Sequence, residues 1–323
     1  VTRRRIILYL DQNAWIALAH GAWDKDEHPR EYTALKLVCE ALNSDDVVIP
    51  LSFTNQYETM KINNPVRRAH LARVQVTVSG GRVLRGRRPI LEVMLSRYIA
   101  EAAGLPVPDV RGEWFLSDLW FETVENLTSG VFENMVSPEA IDYVREHPQE
   151  TLYDYLAHTE EGTRQEAVRR FSAASQSLID RMTLRRRNVQ GESFALRLRA
   201  YSAELLLDET DNILALARQL GLPWQDISDF GAKLAKRLVA EVPIMNVERQ
   251  LAVRLEDQSR AVEENDLRDM ATFVTTLPLV DIVVAEKQFV NLSQQANLDK
   301  VYGTHLLTTI HDITPDMLAT TAL

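Results

Sequence analysis

The chain has 323 residues, 46% of them hydrophobic, enough for a buried core in one large domain or two ordinary ones. Its net charge of −10 excludes a protein that coats nucleic acid over its whole surface, so a polyanion would need a local basic patch. No apolar run is long enough to span a bilayer. The single cysteine, Cys39, excludes an internal disulfide or a thiolate cluster, reads as a core thiol on a helix face, and points to a cytoplasmic protein without membrane contact.

The opening basic head leads into an apolar, branched stretch, Arg5–Gln12, that ends too soon for a signal-peptide core. It reads as a buried strand of a parallel sheet. Helical character follows to Trp23, and apolar spacing predicts a second helix over Glu31–Ser44. Val47–Ser52 reads as a second strand with Pro50 near its end, and a third helix starts at Phe53. Pro65–Ser79 fits a helix stopped by Gly80 and Gly81, although the alternation of Val74, Val76 and Val78 also permits a hairpin. Another helix runs from about Pro89 to Gly104.

From 105 to 258 the pattern is mostly helical, with breaks near Pro106–Gly112, His147–Gln149, Asn188–Glu192 and Gly221–Pro223. Strand and helix signals then return: a helix from about Asn265, a strand to Ala285, a helix from Glu286, and a last strand over His305–Ile310. The expected architecture is α/β, a parallel sheet flanked by helices. Residues 1–104 and 259–323 would form one discontinuous domain, split by an α-helical insertion over 105–258.

Acids punctuate the expected strands. Asp11 ends the first, Glu58 lies in the helix after the second, and Asp266 and Asp269 open the helix after the insertion. Asp281 starts a strand that Glu286 ends. Carboxyl ends of parallel strands line one edge of a sheet, where sites are usually built. Carboxylates crowded there raise one another's pKa, a cost that a hard cation such as Mg²⁺ or Mn²⁺ removes. Such a cation lowers the pKa of bound water and stabilises charge on an attacked phosphate. No histidine or cysteine set has metal-ligand spacing.

The segment YLDQNAWIALA, with Asp11 and Asn13, resembles the opening of PIN-like nuclease domains. PLSFTNQYE, with Ser52 and Glu58, resembles their second motif. NDLRDM and LPLVDIVVAEKQF, with Asp269 (or Asp266 in a shifted register) and Glu286, resemble the third and fourth. The resemblance covers about the first hundred residues and the last sixty. It implies a metal-dependent endoribonuclease of toxin or defence type, with DNA as a second substrate class. Asp11, Glu58, Asp266, Asp269, Asp281 and Glu286 would be the catalytic, metal-holding acids, with Asn13 and Ser52 orienting them. Glu286 where the family often has Asp, and the long insertion, are departures. The insertion would dock an inhibitor or partner protein, and small members of the family commonly pair as homodimers.

Other readings stand beside these. Asp11 or Asn13 could simply cap the first helix, and Asp266 or Asp269 could complement a helix dipole. Glu58 could be a solvated helix residue and Glu286 an ordinary first-turn acid. From Lys61 to Leu91 there is no acid, while Arg67, Arg68, Arg73, Arg82, Arg85, Arg87 and Arg88 recur. That run reads as a phosphate-binding patch, or else as a solvated face. Arg185, Arg186 and Arg187 form a smaller cluster that fits a phosphate-contacting loop as well as a helix end. A degenerate scaffold on the same fold and a phosphatase-like hydrolase are the rival functions.

Overall fold

The computed structural model describes residues 4–124 and 136–319. Strand β1 (Ile6–Leu10) is apolar throughout and leads into helix α1 (Gln12–Trp23), which packs on α2 (Pro29–Asn43). A Cβ on Gly21 would lie 2.5 Å from the Glu31 carbonyl carbon, so only glycine allows so close an approach of these two helices. Strand β2 (Val47–Val48) is shorter than the expected Val47–Ser52, with Pro50, which cannot donate to a ladder, just beyond it. Leu51 instead bridges to Val83.

Helix α3 (Phe53–Lys61) opens with a capping box between Ser52 and Asn55. The 65–79 segment is a helix, α4 (Pro65–Ser79), with Asn64 as cap, Pro65 in its first turn and Gly80 at φ +65° as its stop. Strand β3 (Val83–Leu84), α5 (Arg87–Ala102) and β4 (Leu116–Ser117) follow, β3 and β4 pairing antiparallel.

The long central region is helical among its described residues. It comprises α6 (Pro138–Glu146), α7 (Pro148–His158), α8 (Glu161–Asn188), α9 (Phe194–Asp208), α10 (Thr210–Gln219), α11 (Gly231–Glu241) and α12 (Pro243–Glu256). Then come α13 (Glu264–Thr276), β5 (Ile282–Val284), α14 (Lys287–Gln295), α15 (Leu298–Tyr302), β6 (His305–Leu307) and α16 (Pro315–Leu318).

The main sheet has the order β2-β1-β5-β6, all parallel, with Leu10 opposite Val284 and Val284 opposite Leu307. Strand periodicity sends alternate side chains to opposite faces. Leu8, Leu10, Ile282 and Val284 therefore pack with Trp15, Leu18, Val38 and Leu71 on one side. Ile7, Tyr9 and Val283 pack with Leu205, Met245, Leu251 and Phe273 on the other. The central helices thus share a core with the sheet. No helix among the described residues is long and apolar enough to cross a membrane.

Candidate active site

The parallel order brings the ends of β1 and β5 side by side. The Asp11 N–H donates to the Val284 carbonyl at 2.9 Å, so Asp11 and Glu286 leave the same edge of the sheet. Asn13 Nδ2 donates to Glu286 Oε1 at 2.9 Å. Asp11 also caps α1, its Oδ1 accepting from Ala14 N at 2.9 Å; capping and membership of the acidic group coexist in one carboxylate.

Glu58 and Asp269 arrive from two helices packed together. Thr272 Oγ1 donates to Thr54 Oγ1 at 3.0 Å, and Arg268 Nε donates to Glu58 Oε1 at 3.1 Å. Burial pushes Asp269 up to about 8, and the charges of Glu286, Glu58 and Asp11 push the same way. Burial likewise pushes Asp11 up to about 6 against its cap bond, with Glu286 and Glu58 adding to the rise. Burial raises Glu58 too, despite Arg268. Asp269 has no hydrogen-bond partner among the described residues. Four acids from four distant segments therefore share one electrostatic environment that is poor in compensating charge.

As positioned, no three Asp, Glu, His or Cys side chains among the described residues stand close enough to hold a single ion. Each of three acids is drawn aside: Asp11 by the helix N–H, Glu58 by Arg268, Glu286 by Asn13. The donor set is nonetheless all oxygen and strongly anionic, which suits Mg²⁺ or Mn²⁺. A cleft of about 340 Å³ opens beside Asp11 and Glu286, and Lys287, Gln288, Thr309 and His311 also line it.

Two expected ligands do not join this group. Asp281 precedes β5, at the opposite edge of the sheet, five residues and roughly 16 Å of extended chain from Glu286. There it accepts from Ile7 N at 2.8 Å and pairs with Arg4 at 2.6 Å. Asp266 sits in the first turn of α13, in a capping box with Glu263, and pairs with Arg260. Burial alone would raise its pKa, but the bonds from Arg260 and the Glu263 N–H hold it below the usual carboxylate range. Of the register alternatives, Asp269 is the acid that faces the others. Ser52 touches no carboxylate of the group; its Oγ lies 3.0 Å from the Tyr9 hydroxyl and it caps α3.

The arginine-rich run is not an open patch. Arg82 pairs with Asp118, Arg85 with Glu122, Arg87 with Glu209 and Glu248, and Arg88 with Glu92 and Glu209. Arg68 is buried and donates to the Ile62 carbonyl at 2.7 Å, and Arg73 lies over the Tyr153 ring. Of this run, only Arg67 is exposed without such a partner among the described residues. Most of these charges are spent on acids brought in by the fold. Of the lead-in arginines, Arg3 lies outside the described residues; Arg5 pairs with Asp45 and Glu113.

Arg268 is the functional-site residue that sequence reading missed. It is buried, bonds Glu58, Glu264 and Asn265, and places a cation directly on one acid of the group. Its only sequence signal is its place one residue before Asp269. Comparison with known proteins found no matching family model, no similar curated protein and no similar solved structure.

Proposed function

We propose that the chain is a metal-dependent nuclease of PIN-like type, hydrolysing phosphodiester bonds in RNA. The observation that carries this is the burial of Asp11, Glu58 and Asp269 at the carboxyl edge of the parallel sheet, compounded by their repulsion of one another and by the charge of Glu286. Structural acids that are satisfied, such as Asp266 and Asp281, are each matched to an arginine; this group has one arginine for four acids. Perturbed acids beside a cleft mark functional sites more often than structural ones.

Asp11, Asp269 and Glu286 would hold Mg²⁺ or Mn²⁺, with Glu58 joining when it leaves Arg268. The ion would supply an activated water and stabilise charge on the phosphate. Asn13 orients Glu286, and the Ala14 N–H orients Asp11. Asp269 keeps its proton to about pH 8 without a cation, so ion binding at neutral pH displaces a proton. The toxin or defence setting, an inhibitor protein on the central helices and a homodimer follow from the resemblance and are part of the same proposal.

The Glu58–Arg268 pair favours one rival, a degenerate scaffold whose internal arginine stands in for the cation. Incubation of the protein with total RNA and Mn²⁺, with and without chelator, decides between them. Cleavage that chelator abolishes supports the nuclease. No turnover of RNA or DNA, with no Mn²⁺ binding in calorimetry, supports the scaffold.

A further inference from the structure

A second cavity lies outside the carboxylate group, where the end of α8 meets the segment 256–262. Its volume is about 530 Å³, and Arg186, Arg187, Arg197, Glu256, Asp257 and Gly191 are among its lining residues. The acids there are already used. Arg185, behind the wall, pairs with Glu256, and Arg197 pairs with Asp257 at 2.6 Å. The Arg197 Nε is buried without a partner.

The other two arginines bond no carboxylate among the described residues. Arg186 donates from both terminal nitrogens to backbone, the carbonyls of Arg260 and Gln258; it forms no ion pair among the described residues, and its charge acts at longer range on Asp257. Arg187 is exposed and has no partner among the described residues. A helix-end role does not explain Arg186, because the carbonyls it binds belong to another segment. In a chain of net charge −10, two guanidinium groups at one cavity, neither bonded to a carboxylate, make a local anion attractor.

The cavity also adjoins the active-site cleft. Ser259 and Ala261 line the former, and Gln288 lines the latter. Between them Arg260 donates to Gln288 Oε1 at 2.9 Å, and Gln288 Nε2 donates to Gln258 Oε1 at 3.3 Å. Lys287, exposed at the cleft, adds a cation on the same path.

We infer that the cavity bearing Arg186 and Arg187 is a phosphate subsite for the single-stranded RNA that the carboxylate edge cuts. A strand leaving the Asp11–Glu286 cleft would cross Lys287 and Arg260 and place a backbone phosphate between Arg186 and Arg187. This inference rests on the nuclease reading for its substrate, but binding can be measured without cleavage.

The test is fluorescence anisotropy with a labelled single-stranded oligoribonucleotide of mixed sequence, in chelator. The comparison set is the full-length protein, Arg187→Ala, Arg186→Ala/Arg187→Ala, and Arg111→Ala as an exposed control elsewhere. Loss of two phosphate contacts should raise Kd roughly tenfold and flatten the log Kd–log salt slope by about 1.4. Arg187→Ala, which removes no internal bond, should carry about half of that slope change with its melting temperature unchanged. Arg111→Ala should bind as the parent does. Unchanged affinity and slope in both variants, or a parent chain that binds no RNA, overturns the subsite. RNA binding that depends on these arginines without any metal-dependent cleavage would leave the subsite standing and remove the nuclease; cleavage with normal KM in the double variant would do the reverse.

Discussion

Asn13 and Glu286 are joined by a 2.9 Å hydrogen bond across 273 positions of chain. The bond exists because β1 and β5 are parallel neighbours and both end at the same edge. It fixes the more exposed of the four acids by an amide, which orients a carboxylate without neutralising it. Asn13→Ala leaves that carboxylate free to rotate. Loss of such an orienting partner costs about 10–100-fold in metal affinity or activity. Mn²⁺ titration and cleavage rates of the variant should both fall by that order, with little change in melting temperature since Asn13 is exposed. A variant indistinguishable from the parent in both readouts would remove Asn13 from the site.

Asp11→Asn separates the two tasks of Asp11. Asparagine caps a helix as well as aspartate does, so α1 should persist. The substitution also deletes one charge from a group of mutually repelling acids, so melting at pH 8 should be unchanged or higher. Cleavage should drop by at least about a hundredfold, as when a group that stabilises the transition state is removed. Parent-like, metal-dependent cleavage by this variant would falsify the assignment of Asp11.

Arg87 belongs to stability rather than to RNA binding. Its guanidinium bridges Glu209 and Glu248 at 2.8 and 2.7 Å, and the attraction of both acids raises its pKa despite burial. Arg87→Ala takes the nearer of two arginines from the buried Glu209, which keeps Arg88, and leaves the half-buried Glu248 without its ion pair. Removing one partner of a fully buried pair costs about 3–5 kcal/mol, and partial exposure with Arg88 in place should hold the loss below that. Urea unfolding should show it, alongside unchanged RNA affinity for whatever fraction is folded. An unaltered urea midpoint would mean that the pair contributes nothing.

The sheet was legible because both of its faces are buried. Runs such as Ile6–Leu10 and Ile282–Val284 are then apolar throughout and cannot be mistaken for loops. The helix over 65–79 was suggested by its stop at Gly80 and Gly81, while Val74, Val76 and Val78 mimic a strand; the Asn64 cap emerges only in the fold. Asp11, Glu58 and Glu286 could be picked out because each follows a strand end or lies in a helix that follows one, and Asp269 because it opens the helix where the strand and helix signals return after the insertion. Asp281 has the same composition cue at the wrong end of its strand, and an apolar run does not by itself disclose which end faces the site. The arginine run misled for a related reason. A stretch without acids looks uncompensated, yet Glu209 and Glu248, the partners of Arg87, lie 122 and 161 positions away. Charge pairing across such distances is a property of the fold and leaves no local trace.

The same crowding predicts how stability responds to pH and cations. Asp11 and Asp269 have pKa values near 6 and 8 in the folded chain, above their ordinary 3.8. Between about pH 4 and 8 these two groups therefore bind more protons in the folded state than in the unfolded state. Their contribution to stability without cations falls as pH rises through this window, because the linkage slope takes the sign of unfolded minus folded protons. Asp266, Asp257 and Glu241, each bonded to an arginine that lowers its pKa, have the opposite sign and lose stability as pH falls. Their contribution is complete above the ordinary carboxylate range, so the decline from pH 6 to 8 is specific to the raised pair. A divalent ion that binds the folded state alone adds RT ln(1 + [L]/Kd). It competes with protons for the same oxygens, so that gain grows with pH. Melting temperatures measured with chelator should fall by several degrees from pH 6 to pH 8. With millimolar Mn²⁺ the fall should be largely abolished, and in Asp269→Asn it should be small under either condition. A chelated parent chain whose melting temperature rises from pH 6 to pH 8 would show that the four acids do not share one pocket.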